Sequence, residues 1–361
     1  MAMSAVYRGC QLVSAPIGTL PIRAYTGTGR ARQEVPVPHI LLEPHPEIEA
    51  AEFWSLLFFD QARWGHFAAL NRRDKAGRIR WLEPLPPRNV RPERDPKYIT
   101  AQNPSGTVYH VSRPQGDQVT LTSYDLFFVP AFGDGLNGIS VVGLARQGIA
   151  LSLAMEEYAA RLFQRGTLTG GTVTVAGRLS PARARRIQLD VERRAGGLDN
   201  AHRVLVLDQD GKFTRDGLPP GDIEFLAGRR FQISEMARWF GLPPHLLGDL
   251  EKSTSWGTGL DTQQRQLLVF TYGPNIIRAE QRMSRITASG ITPSFDTGGF
   301  LRTDHKSQTE AFAKAVLSGF MKPSEARDEL GLPYDELVDD FFMQKQMARV
   351  PTAGAPDDND N

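Results

Sequence analysis

Apolar positions along this chain follow two periods, helical and alternating, in an order that sets out the elements. Residues 5–17 place Val6, Cys10, Val13 and Ile17 at helical spacing. The chain should therefore open on a helix, ended by Pro16 and Pro21, with an extended run from Leu20 to Tyr25 after it. Residues 27–38, rich in Gly, Arg and Pro, read as an exposed loop. Over 47–64 the apolar residues Phe53, Trp54, Leu56, Leu57, Phe58, Phe59 and Trp64 surround a helix on all sides, which requires burial on several faces. The period then falls to two. Phe67 to Arg72 and Arg78 to Leu82 flank Asp74-Lys75-Ala76-Gly77, a hairpin pattern. The proline-rich run 83–94 reads as irregular, and short strands continue to Phe132.

The helical period returns in the second half. Gly148 to Arg165 carries Leu151, Met155, Tyr158 and Leu162 in a stripe. A Thr/Val strand follows, and Ser180-Pro181 opens an arginine-rich helix, Ser as N-cap and Pro at the first position. Residues 203–208 read as a strand and Asp210-Gly211 as a turn, so a small αβ insertion, 167–221, separates two long helices. The second runs from Asp222. Ile223, Leu226, Ile233, Met236, Ala237 and Phe240 share one face, with Arg229, Arg230, Glu235 and Arg238 mostly off it. Gly241 sits where a C-terminal cap belongs, and Pro243-Pro244 forbid continuation. A helix over 262–288, a strand from Ile291 to Phe295 and helices over 304–319 and 323–330 complete an α+β chain. The acidic tail 350–361 should be disordered.

Composition narrows the function classes. The 361 residues are 40% apolar, enough for a core, and 42 basic against 41 acidic side chains leave a net charge of +1. Dedicated nucleic-acid binders usually carry a basic excess, because phosphate neutralisation supplies most of their affinity. One cysteine, Cys10, excludes an intrachain disulfide and a multi-cysteine metal site and fits a reducing cytosol. The seven histidines are scattered, without a helical ligand pair, so neither a metal nor a cofactor is expected. No segment approaches the roughly 20 apolar residues of a membrane span, and no secretory signal is expected at residues 1–20.

Four stretches invite a chemical reading. Gly133-Asp134-Gly135-Leu136-Asn137-Gly138 matches a dinucleotide fingerprint and follows the apolar run Leu126 to Val129. The acid that should close a second strand about 20 residues on falls in mid-helix, at Glu156 and Glu157, so a glycine-rich turn is the simpler reading. Arg165 to Thr172 has the glycines of a phosphate cradle, but no Gly-Lys-Ser/Thr follows; it reads as a hinge out of the long helix. Arg178, Arg183, Arg185, Arg186, Arg193 and Arg194 form either a solvated helix face or an electrostatic docking surface. Lys252, Ser253, Thr254, Ser255, Trp256 and Thr258 lie in a small-residue loop with one large aromatic, the composition of a mobile contact element.

The run Arg230, Phe231, Glu235 to Arg238, Phe240, Gly241 and Pro243 to Asp249 resembles a segment of the portal proteins of tailed double-stranded-DNA bacteriophages. Segments from Val6 to Tyr25, from Glu52 to Val90 and from Gly135 to Ser180 resemble the same family in the same order. The loop reads Thr254-Ser255-Trp256-Gly257-Thr258-Gly259, where the family often has T-Y-S-N. His45-Pro46-Glu47 stands in place of H-P-N.

The resemblance implies a non-enzymatic dodecameric ring at one capsid vertex. Residues 1–145 with part of 262–300 would form the wing. Residues 146–166 and 222–241 would be the stem helices, with Arg229, Arg230 and Arg238 upon them. The insertion 167–221 would be the clip, carrying the arginines as a docking surface for the terminase large subunit and later the head-tail connector. Residues 245–262 would be a tunnel loop facing double-stranded DNA, and 301–349 a short helical crown. The major capsid protein would be a further partner, and the location the virion, after assembly in the host cytoplasm. Balanced charge suits a conduit, since a wall that bound phosphate tightly would stall DNA. Two other readings stay open: a nucleotide-dependent α+β enzyme using Gly133 to Gly138, and a monomeric DNA-binding adaptor centred on Arg178 to Arg194.

Overall fold

The computed structural model describes residues 3–101, 103–113, 116–165, 171–174, 180–195, 212–215, 221–249, 263, 265–298, 305–330 and 332. Backbone contacts divide the chain into two units, Met1–Asp296 and Thr297–Asn361.

The first helix, α1 (Ser4–Gly18), runs through Pro16 instead of stopping there. Proline removes the N–H that would bond the carbonyl four residues back. That carbonyl, Leu12 O, accepts instead from the buried Tyr272 hydroxyl at 2.9 Å. A distant side chain thus supplies the missing donor, which no local pattern could show. β1 (Ile22–Thr26) follows and pairs with β2 (Gln33–Val35), a short strand within the stretch read as loop. The four-residue α2 (His39–Leu42) leads to α3 (Ala50–Trp64).

α3 is the hub of the first unit. Phe53, Trp54, Leu57 and Phe58 are buried, while Trp64 is exposed at its end. Trp54 Nε1 donates to Leu41 O at 3.1 Å, so the indole is buried with its polar atom satisfied. Gly65, at φ 85°, closes the helix and turns the chain into β3 (His66–Arg73). β3 lies between β4 (Ile79–Pro84) and β8 (Leu126–Pro130), antiparallel to both. Phe53, Trp54, Phe67 and Phe127 meet edge to face between helix and sheet.

The β3–β4 turn forms as the sequence suggests. Asp74 Oδ1 accepts from the Ala76 and Arg78 amides at 2.9 Å each, and Gly77 takes φ 80°. The proline-rich 83–94 run is more regular than its composition suggests. It ends in β5 (Val90–Arg94), which joins β6 (Thr107–Ser112) and β7 (Gln118–Leu121) in a second sheet. Pro92 is tolerated because β5 is an edge strand, where a missing donor breaks no ladder.

α4 (Val141–Leu144) precedes α5 (Arg146–Arg165). β9 (Gly171–Thr174) pairs antiparallel with β10 (Lys212–Arg215), and α6 (Pro181–Ala195) lies between them in sequence. The strand read at 203–208 and the turn at Asp210-Gly211 lie outside the described residues, as does the tail 350–361.

α7 (Gly221–Phe240) ends in a Schellman cap: Leu242 N bonds Ala237 O at 2.9 Å, Gly241 N bonds Arg238 O at 3.2 Å, and Gly241 has φ 66°. Where one helix was expected over 262–288, residues Leu267–Tyr272 wind as a π-helix that passes into α8 (Gly273–Met283). β11 (Ile291–Phe295) then returns to the far edge of β1, so residues 22–26 and 291–295 share one sheet. Glu280 fixes α8 to that strand by accepting from Phe295 N at 2.7 Å and Ser294 Oγ at 3.1 Å. In the second unit, α9 (His305–Leu317) ends at Gly319, φ 70°, and α10 (Pro323–Glu329) begins with Pro in its first turn.

Candidate functional site at the paired long helices

α5 and α7 form an antiparallel-reading pair joined through small residues. A Cβ on Gly148 of α5 would lie 3.2 Å from Met236 Cε, and one on Gly228 of α7 would lie 3.0 Å from Met155 Cε. Each helix thus gives a glycine that receives a methionine of the other. Between these contacts sits Gln232, a buried polar side chain. With its amide turned so that nitrogen meets acceptors, it donates to Ser152 Oγ at 3.1 Å and Gly148 O at 3.3 Å. The Glu235 carboxylate also lies within 3.3 Å of that amide nitrogen, and this polar bridge fixes the register of the two helices.

The stripe read from sequence divides. Met155 faces α7, whereas Leu151 and Tyr158 are exposed; the covered face is Gly148, Ile149, Ser152, Met155 and Ala159. On α7, Met236, Ala237 and Phe240 are buried as the pattern requires. Met236 and Phe240 share a core cluster with Val6, Cys10 and Val13 of α1, where Phe240 fills the space a side chain on Gly9 would need. Cys10 is buried there, and desolvation raises its thiol to about 11, which keeps it an unreactive packing group.

Several bonds brace the end of α7. Pro244–Leu247 form a 3₁₀ turn closed by Gly248 at φ 93°, and Ser234 Oγ donates to the Asp249 carboxylate, tying the turn back to the helix. Thr271 Oγ1 donates to Gly241 O at 2.6 Å, so the π-helix braces the same cap. Residues 250–262, including Lys252, Ser253, Thr254, Ser255, Trp256 and Thr258, lie outside the described residues.

Of the six arginines of the insertion, Arg183, Arg185 and Arg186 are exposed on α6. Arg193 and Arg194 lie on the same helix, with side chains outside the described set, and Arg178 lies outside it entirely. Ser180 caps α6 as read, its Oγ accepting from Arg183 N at 3.4 Å. Arg229 and Arg230 are on α7, again with side chains outside the described set, and Arg238 is exposed in its last turn.

The Gly133–Gly138 run is a closed turn. Asp134 Oδ1 accepts from the amides of Leu136 and Asn137 at 2.8 and 2.5 Å, and these bonds hold its carboxyl below the usual range. The amides that a pyrophosphate would need are thus taken by the turn's own carboxylate. A Cβ on Gly138 would meet Gly65 O at 1.8 Å, so that glycine serves close packing on the end of α3. The helix that follows, α4, has four residues and is capped by Ser140 Oγ on Gly143 N at 2.8 Å. Among the described residues no group of three or more His, Cys, Asp or Glu side chains could hold a metal, and no helix is long and apolar enough to cross a membrane.

The sequence pattern of the phage portal protein family matches residues 4–331. This chain belongs to that family. It is 30% identical over 351 residues to the portal protein of Enterobacteria phage HK97, covering 92% of this chain and 79% of that one. It is 31% identical over 302 residues to the probable portal protein of Streptomyces phage phiC31, covering 79% of this chain. The match spans 64% of the phiC31 protein's own length. Among solved structures, a chain in the neck of a native gene transfer agent particle computed with C12 symmetry matches with a TM-score of 0.63 and 18% identity, covering 92% of this chain and 91% of its own. An HK97-family phage portal protein from Corynebacterium diphtheriae matches with a TM-score of 0.57 and 16% identity, over 83% of this chain and 94% of its own. These structural likenesses speak for the fold. The mixed α+β architecture agrees with them, in a portal-family chain whose long helices meet through glycine, methionine and one buried glutamine.

Sequence reasoning missed three features of this region: the Gln232–Ser152 bridge, the Tyr272–Leu12 bond, and a cleft beside the Gly133 turn lined by Arg278 and Arg282. Only the last left a local signal, two arginines four apart on one helix.

Proposed function

We propose that this chain forms a closed ring that conducts double-stranded DNA through one capsid vertex during packaging and ejection. Membership of the portal family over residues 4–331 carries the reading. The C12 symmetry reported for the neck of a gene transfer agent particle supports a ring of twelve. In this reading residues 1–145 and part of 262–300 are the wing, and α5 and α7 the stem. Segment 167–221 is the clip, 245–262 the tunnel loop, and 301–349 the crown. Each stem helix of 20 residues is about 30 Å long. A pair that long, locked in register, is a strut able to hold an insertion at a fixed distance from the body. The exposed Arg183, Arg185 and Arg186 then meet a packaging motor and later a head-tail connector. The tunnel loop, Lys252 to Thr258 with Trp256, meets DNA without reading its sequence. The assembly acts as structure, with ATP hydrolysis left to a separate terminase, and other copies of the wing face the major capsid protein.

Light scattering with negative-stain images of the same peak tests this. The expected species is a closed ring with a central hole, about twelve times the 40.0 kDa chain mass. A chain that stays monomeric at every concentration and salt would overturn the reading.

A further inference from the structure

The cleft beside the Gly133 turn has a volume of about 230 Å³ and is lined by Pro130, Phe132, Gly135, Arg278, Gln281 and Arg282. Arg278 and Arg282 stand one turn apart on α8 and are half-buried, with Arg285 exposed just beyond. Arg278 lies over the exposed Phe132 ring at 5.5 Å, and Arg282 Nη2 donates to Gly135 O at 3.3 Å. Among the described residues no carboxylate lies within 4 Å of Arg278, Arg282 or Arg285. Glu280 faces away, bound to Phe295 and Ser294, and Asp134 spends its oxygens on its own turn. Burial pushes both half-buried guanidiniums below the usual arginine value, and Arg285 adds to the effect on Arg282. Partly desolvated cations without a counter-ion are costly. A carboxylate from outside would relieve that cost, and the exposed Phe132 ring beside the cleft favours a protein segment with an apolar neighbour over bare phosphate.

The same chain carries such a segment. Glu47, Glu49 and Glu52 are exposed around the start of α3, and Leu42, a few residues before them in sequence, is exposed too. They cannot reach the cleft of their own subunit. The cleft adjoins the C-terminal end of α3, where Ala131 N bonds Gly65 O at 2.8 Å. The glutamates cluster at the other end of that 15-residue helix, about 22 Å away.

We propose that the Arg278–Arg282 cleft of one copy receives the Glu47–Glu52 segment of the next. Two unlike patches at opposite ends of one helix make a head-to-tail contact, the kind that closes into a ring. This inference rests on the ring reading above and names one of its contacts.

Complementary charge reversal tests it in the full-length chain. One variant carries Arg278→Glu and Arg282→Glu; the other carries Glu47→Arg, Glu49→Arg and Glu52→Arg. Each alone would oppose like charges at every contact, so both should remain folded and lose at least ten-fold in ring fraction. An equimolar mixture should assemble, because each reversed patch then meets its complement, and a chain with both reversals should assemble alone. Thermal unfolding of each variant checks the fold, and Arg278→Gln with Arg282→Gln replaces the harsher change if the first variant unfolds. Wild-type failure to form rings would sink the ring reading itself. Wild-type rings with variants that assemble as well, or with a folded mixture and folded full reversal that stay apart, would overturn this contact alone.

Discussion

α3 and α5 are both long helices with large apolar side chains, yet they dispose of them in opposite ways. α3 buries Phe53, Trp54, Leu57 and Phe58 within one chain, against β3, β8 and α1. α5 covers only a narrow seam of Gly148, Ile149, Ser152, Met155 and Ala159, and leaves Leu151 52% exposed; its partner α7 leaves Phe231 54% exposed. The difference separates two tasks. A helix buried on several sides stabilises the subunit whether or not another copy is present. A pair bound through glycines, with apolar residues left outside, is stable enough to form and still has surface for a neighbour to cover.

The largest break in this contrast should come from α3. Trp54 is 1% exposed and packs edge to face on Phe53 and Phe127. Trp54→Ala removes that packing and leaves a cavity, so the subunit should lose about 3–5 kcal/mol in denaturant unfolding. A loss below about 1 kcal/mol would mean that α3 is not the hub described above.

Next in size is a pH effect at the same helix. Asp60 is buried on α3, and desolvation raises its carboxyl to about 6, only partly opposed by Arg63 at 3.8 Å. Because the folded value lies above the unfolded one, the fold favours the protonated acid. Stability should therefore fall as pH rises from about 4 to about 6, by on the order of 2–3 kcal/mol. Asp60→Asn should flatten that slope in unfolding midpoints measured across the range. A slope that survives the substitution unchanged would assign the effect to another group.

The same contrast explains what could be read from the sequence. α3, the Asp74 hairpin and the α7 stop were legible, since burial periodicity and cap chemistry are local. Gly241 and Pro243 mark the stop of α7 as clearly in the sequence as the Schellman bonds do in the structure. Pro16 misled because its effect depends on Tyr272, 256 positions further along the sequence. Pro92 misled because edge position is a property of the sheet. The seam of α5 and α7 was half legible: the stripe gave the helix, but Leu151 and Met155, four apart on one apolar side, part company only when the width of the partner helix is known. The candidate DNA-facing loop was found by resemblance, and its flanking anchors, Asp249 on Ser234 and Thr271 on Gly241, appear only in three dimensions.

The smallest expected effect on the subunit comes from the exposed side of the helix pair. Leu151→Ser and Phe231→Ser remove side chains of which the single chain leaves about half exposed. Surface changes of this kind fall within about ±0.5 kcal/mol, with helix propensity adding a few tenths. Unfolding of the monomer should therefore barely move. If neighbouring copies cover this face in the ring, the same substitutions remove burial that exists only in the assembly, so ring dissociation on dilution should begin at a higher protein concentration. Mass measured along a dilution series would show it. Equal dissociation of wild type and both variants would mean that neighbours meet elsewhere, and that the contrast between α3 and α5 reflects only how much of each helix its own chain can reach.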